Sequence, residues 1–210
     1  MTAARRPVPD REDDVLRRLR TATAEDHARV EAALALTAPD LDRDRLVRAM
    51  TALHGFWRAA EDGLAGWAAR HPDDAARVDW PGRRRASLYA ADLRALGAPA
   101  AAEGPGLPEV RSTDEALGRL YVLEGSTLGG TVIHTHLAGL PGLAAVRLRA
   151  FSPYGERTGG MWRAYRGTTR AHVAGEGDAA EVVRAARDTF AALARWVGGA
   201  VPAGRGPGSP

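Results

Sequence analysis

Two hundred and ten residues, 45% of them apolar and 26% charged, are enough for one domain with a single continuous core and too few for two fused enzymes. The chain has no cysteine, which excludes disulfide frameworks, thiolate zinc sites, cysteine-ligated iron–sulfur clusters and cysteine nucleophiles; His, Asp, Glu and hydroxyl groups must carry any chemistry. The net charge is +3 and all 29 basic residues are arginine, dispersed among acids rather than gathered on one face, which argues against nucleic acid as a partner. No stretch approaches the ~20 apolar residues of a membrane span. The opening MTAARRPVPDREDD lacks the apolar centre of a secretory signal, so the expected location is the cytoplasm, without a membrane partner.

Residues 1–10 are rich in Pro and Arg and 198–210 in Gly and Pro; both are expected to be disordered tails flanking one domain over 11–197. Within it apolar residues recur at three and four, so the predicted class is all-α. A first helix over about Arg11 to Leu36 carries the inward stripe Leu16, Leu19, Thr23, His27, Val30 and Leu34. A second, capped by Asp40, carries Leu46, Met50, Leu53, Phe56, Trp57 and Leu64 and stops at His71-Pro72. A third covers about Arg83 to Leu96 and ends at Gly97; the run Arg83-Arg84-Arg85 reads as its solvated start. After a Pro- and Gly-rich loop, Ser112 or Thr113 with Glu115 opens a fourth helix that closes at Gly139 to Gly142. A fifth spans about Arg157 to Val173 and a sixth about Asp178 to Val197, which together make a compact bundle.

Two features stand out chemically. His27 sits on the apolar stripe with Glu31 one turn on, where the carboxylate can accept from one ring nitrogen and leave the other for a metal; an inward histidine satisfied by a helix carboxylate is the plainer reading. Arg20 precedes His27 by seven residues on roughly the same side, placed to meet an anionic group. Glu-Gly-Ser-Thr-Leu-Gly-Gly at 124–130 puts three glycines inside a strong helical pattern. Each costs about 1 kcal/mol relative to alanine. Bare backbone of this kind suits either a broad planar ligand or a close helix crossing. Ser-Pro-Tyr-Gly-Glu-Arg-Thr-Gly-Gly-Met-Trp-Arg-Ala-Tyr-Arg at 152–166 combines aromatics with Arg163 and Arg166, whose forks can bind carboxylates while Met161, Trp162 and Tyr165 serve the core. His134 and His136 are two apart and point to different sides, so they read as surface or interface residues; His54, His71 and His172 have no evident partners. Paired Glu-x-x-His, His-Glu-x-x-His, Gly-x-Ser-x-Gly and phosphate-loop motifs are absent.

Thr-Ala-Thr-Ala-Glu-Asp-His-Ala-Arg-Val-Glu, then Leu-Tyr-Val-Leu-Glu-Gly-Ser-Thr-Leu-Gly-Gly, then the Tyr-Gly…Met-Trp-Arg-Ala-Tyr stretch, in that order and spacing, resemble the heme oxygenases, and within them the bacterial branch associated with bacteriophytochromes. The resemblance covers about residues 13 to 197. It implies an all-α single-domain bundle with heme b, both cofactor and substrate, held between a proximal first helix and a distal fourth. It implies His27 as the iron ligand, Glu31 as the carboxylate that orients it, and Gly125, Gly129 and Gly130 as the distal glycines. Arg20, and Arg166 with Arg163, would meet the heme propionates, and Tyr121 the propionate side or the distal hydrogen-bond network. The implied reaction is cleavage of the ring by O2, with electrons from a ferredoxin or reductase, to biliverdin, carbon monoxide and iron, and the implied setting is a bacteriophytochrome pathway. Ser126 stands where animal members have a distal aspartate and Thr131 where a glutamine is usual. A non-catalytic heme carrier or sensor on the same fold is the alternative; a thiaminase-like activity would need a cysteine that is absent.

Overall fold

The computed structural model describes residues 14–200; the expected tail over 1–10 and all but the first three residues of the tail expected over 198–210 lie outside the described residues. The described residues are helical and contain no strand. The helices are α1 Val15–Leu34, α2 Arg43–Arg70, α3 Pro72–Arg77, α4 Ala86–Ala95, α5 Thr113–Gly125, α6 Gly130–Ala138, α7 Thr158–Gly175 and α8 Ala179–Ala200.

Local chemistry sets most of the ends. Asp14 accepts from the Leu16 N–H, Asp42 from that of Arg45 at 2.8 Å and Ser112 from that of Glu115 at 3.2 Å, which meets orphan donors of α1, α2 and α5. The cap of α2 is therefore Asp42 rather than Asp40. His71-Pro72 ends α2 as expected, but Pro72 then opens the short α3 as a residue pre-set for a first turn. The fourth predicted helix is two, α5 and α6, joined by a 3-10 turn at Ser126–Gly129. α8 continues to Ala200, past the boundary expected at 197.

The Arg83-Arg84-Arg85 run departs most from expectation. Pro81–Arg83 is a 3-10 turn, α4 begins only at Ala86, and the Arg83 and Arg85 side chains are each 1% exposed. The Glu124 side chain, on α5, lies between them. Its Oε2 accepts from Arg83 Nη1, and its Oε1 accepts from the Tyr154 hydroxyl at 2.8 Å and lies 3.6 Å from Arg85 Nη2. Arg85 also stacks 3.9 Å over the Trp57 ring. Burial of the Tyr154 phenol beside this carboxylate raises its pKa well above the ordinary value. Glu61 of α2 accepts from the Arg85 and Ala86 N–H groups and so caps α4 from another helix.

The bundle has α8 as its spine: α8 packs extensively against α1 and α5 and also against α2, whereas α1 and α5 barely touch. Three contacts set the helix directions. Asp14 at the start of α1 pairs with Arg170 late in α7; Tyr165 donates to the Leu117 carbonyl at 2.9 Å; the Trp162 and Tyr121 rings lie 6.0 Å apart. α7 thus runs against both α1 and α5, and those two are parallel. The Tyr121 phenol lies against the Thr23 hydroxyl and within electrostatic reach of Arg20, so Thr23 and Tyr121 stand at one height.

The end of α1 is strained. Ala35 has φ +45°, a left-handed conformation that costs an L-residue about 1 kcal/mol or more. Ala35→Gly is expected to raise stability by about 1 kcal/mol, ~2–4 °C in Tm by calorimetry. Glu124→Gln, which leaves buried guanidiniums without their counter-charge, is expected to cost about 3–5 kcal/mol in a urea unfolding midpoint.

Candidate functional site between α1 and the α5–α6 segment

Because α1 and α5 are parallel and share a height at Thr23 and Tyr121, one turn further along each brings His27 level with Gly125. His27 is not a core residue. Its side chain is 53% exposed, its ring meets Phe190 of α8 edge-on at 5.8 Å, and its Nδ1 lies 3.5 Å from Glu31 Oε2. The stripe of α1 is thus interrupted where α8 holds α1 away from α5, and the imidazole is exposed, its Nε2 without a hydrogen-bond partner among the described residues. Burial raises the Tyr121 phenol above its ordinary pKa, while the Thr23 hydroxyl and the Arg20 charge act in the opposite direction.

The three glycines separate into two roles. A Cβ on Gly125 or Gly129 would meet nothing within 4 Å, so both face open space. A Cβ on Gly130 would collide with the Phe151 carbonyl oxygen and lie 2.9 Å from its carbon, so this glycine serves a close backbone crossing. Leu128 and Val132, 50% and 62% exposed, are the exposed large hydrophobics among the described residues, and both belong to this segment.

The bend between α5 and α6 has an identifiable cause. The Leu123 carbonyl, in the last turn of α5, accepts from Arg85 Nη2 and from Ser126 Oγ at 2.7 Å, and immediately beyond it the backbone changes to 3-10. Donors inserted from outside the helical ladder bend a helix in this way. Arg85 Nη1 also donates to Ser126 Oγ at 3.4 Å. Arg85 and Glu124 escaped the sequence reading because their side-chain partners are 28 or more residues away. A carboxylate inside the apolar run Leu-Tyr-Val-Leu-Glu was the available signal.

Arg20, Arg163 and Arg166 have no carboxylate partner among the described residues. Arg166 lies one turn past Trp162 on α7, which, since α7 runs against α1, brings it to about the height of Arg20; Arg163 is exposed on the adjacent face. In the neighbouring aromatic cluster Tyr165 is fully buried and Trp162 stacks on it at 5.3 Å, half-exposed like Met161. The remaining histidines all have partners. His54 Nδ1 accepts from the Ala101 N–H at 3.0 Å, His71 pairs with the Arg111 carbonyl, and His172 Nε2 meets Asp114 at 2.9 Å. His134 and His136 point to different sides as predicted, each with Nε2 2.8 Å from a carbonyl, of Leu148 and Ala38 respectively.

Gly129→Ala is expected to leave apo-protein stability within ~1 kcal/mol of wild type, whereas Gly130→Ala forces the Phe151 backbone away and destabilises by several times more; thermal unfolding of the two variants checks the division of roles.

No family model matches the chain. A heme oxygenase of Xanthomonas campestris pv. campestris (strain 8004) is 31% identical over 158 residues, which are 75% of this chain and 91% of that protein. The heme oxygenase from Neisseria meningitidis, solved in NO- and CO-bound forms, superposes with a TM-score of 0.70 over 93% of this chain and 100% of that one, at 21% identity, and so shares its fold. No helix among the described residues is long and apolar enough to cross a membrane. An all-α bundle with this topology and this extent of shared sequence makes the chain an enzyme that belongs to the heme oxygenase family.

Proposed function

We propose that this protein binds heme b in the cleft between α1 and the bent α5–α6 segment and cleaves it to biliverdin, carbon monoxide and iron. The observation that carries the reading is the pairing of an exposed imidazole, His27, with a bare and apolar strip that begins level with it at Gly125 and continues through Leu128, Gly129 and Val132. The donor set fits the group: one neutral imidazole, exposed apolar side chains for a flat ring, and guanidiniums for carboxylates. Bound heme supplies the iron at which O2 is reduced and the porphyrin that is oxidised, with electrons from an external ferredoxin or reductase.

His27 would hold the heme iron through Nε2, with the Glu31 carboxylate, 3.5 Å from Nδ1, placed to favour one tautomer and ring plane. Gly125 and Gly129 let peptide dipoles approach the opposite face, where side chains would exclude O2. The Ser126 hydroxyl has its proton committed to the Leu123 carbonyl and one lone pair to Arg85, so it offers a single acceptor position to water in the cleft. Arg20 and Arg166, with Arg163 and the Tyr121 hydroxyl near them, anchor the propionates and thereby decide which edge of the ring is presented. The Glu-Gly-Ser-Thr-Leu-Gly-Gly run supports a place beside bacteriophytochrome-associated members and a cytoplasmic supply of biliverdin to such a photoreceptor.

Hemin titration is expected to give a stoichiometric Soret complex that bleaches, under ferredoxin-supported reduction, into the red absorbance of biliverdin; a complex that never bleaches would leave only a carrier, and no complex would overturn the reading. His27→Ala is expected to fold normally, since the side chain is 53% exposed, and to lose both the imidazole-ligated spectrum and turnover. Glu31→Gln is expected to lower heme affinity or turnover roughly 10–100-fold. Gly129→Leu, which fits the apo-protein, is expected to exclude heme, and unchanged affinity would show that this glycine does not line the site.

A further inference from the structure

We infer that His136 is a positioning residue that straps the distal α6 to the end of the proximal helix and so sets the opening of the cleft; the inference rests on the heme-binding reading above. α6 is the least anchored of the long-chain elements around the site. Of its nine residues only Gly130 and Leu137 are buried, and its main neighbours are the 3-10 turns at Ser126–Gly129 and Arg149–Phe151. Packing alone therefore holds it weakly, and side-chain hydrogen bonds decide its place. His134 ties it to the Leu148 carbonyl, within the same half of the molecule. His136 makes the longer reach, from α6 to the Ala38 carbonyl in the α1–α2 loop at 2.8 Å, across 98 positions of sequence.

The acceptor is built for this contact. Glu31 ends its helical carbonyls on the Ala35 N–H at 2.9 Å; Ala35, held at φ +45°, turns the chain so that its own carbonyl accepts from the Ala38 N–H at 3.0 Å; and the Ala38 carbonyl then accepts from both the Leu41 N–H at 3.1 Å and His136. A continuous run of hydrogen bonds thus joins the residue that orients the His27 ring to the helix on the far side of the cleft. Because the acceptor is a carbonyl, His136 must donate from Nε2–H.

The test compares wild type with His136→Phe, which keeps a ring of similar size without the donor, and His136→Gln, which restores an N–H at similar reach. Two measurements are made: hydrogen exchange of the amides of residues 130–138 in the apo-protein, and the rate of hemin transfer from the loaded protein to an excess of a heme-scavenging apo-globin. Expected for His136→Phe is faster exchange confined to α6 and hemin release about three- to tenfold faster, with Tm nearly unchanged, and recovery of both in His136→Gln. Exchange and release equal to wild type in His136→Phe would overturn the strap. So would a fall in Tm with faster exchange throughout the bundle and no recovery in His136→Gln, which would make His136 a packing residue. If wild type takes up no hemin, the heme-binding reading fails, while the apo-protein exchange still decides whether His136 holds α6.

Discussion

The Leu123 carbonyl is the point on which the site turns. It stands at the end of an apolar helix, where a regular continuation would carry α5 straight into α6, yet it accepts from Arg85 and from Ser126 Oγ. Arg85 can reach it only because its charge is tolerated at 1% exposure, and that tolerance comes from Glu124, from the Trp57 ring and from the neighbouring Arg83–Glu124 pair. Replacing such a cluster by hydrocarbon is often neutral for stability, so its use here is geometric: it aims one guanidinium at one carbonyl and at one serine hydroxyl. The bend that results presents Gly125 and Gly129 to open space while Gly130 turns against Phe151.

The cleft itself follows from the place of α8. A helix that packs along both α1 and α5 holds them apart, and Tyr121 reaches Thr23 across the gap. His27 is exposed for this reason and not for lack of apolar neighbours in its own helix. The same arrangement leaves α6 with little to pack on. Rigid groups surround the bend and sparse ones follow it, so the position of α6 is set by individual hydrogen bonds more than by buried area.

How legible this was differs from residue to residue. The helices themselves are written in local signals: the three-and-four spacing of Leu46, Met50, Leu53 and Phe56, the Ser112 cap, the stop at His71-Pro72 and the glycine run at 125–130 all act within a turn or two. His27 with Glu31 is an i, i+4 relation and equally local. What escaped was non-local. Arg83 and Arg85 look like a solvated charge run until Glu61 and Glu124 are brought to them, and the three glycines look alike until Phe151 is placed against one of them.

The sequence by itself determined that the chain is an all-α bundle without thiol chemistry, and which histidine, carboxylate and glycines are candidates for heme, because periodicity, capping and residue type are properties of short segments. Only the tertiary structure decided that His27 is exposed, that Gly125 and Gly129 face open space while Gly130 does not, and that Arg85 and His136 hydrogen-bond the two ends of the α5–α6 segment. Those depend on contacts between residues far apart in sequence, from 21 positions for Gly130 and Phe151 to 163 for His27 and Phe190, which exist only once α8 has fixed the helices relative to one another.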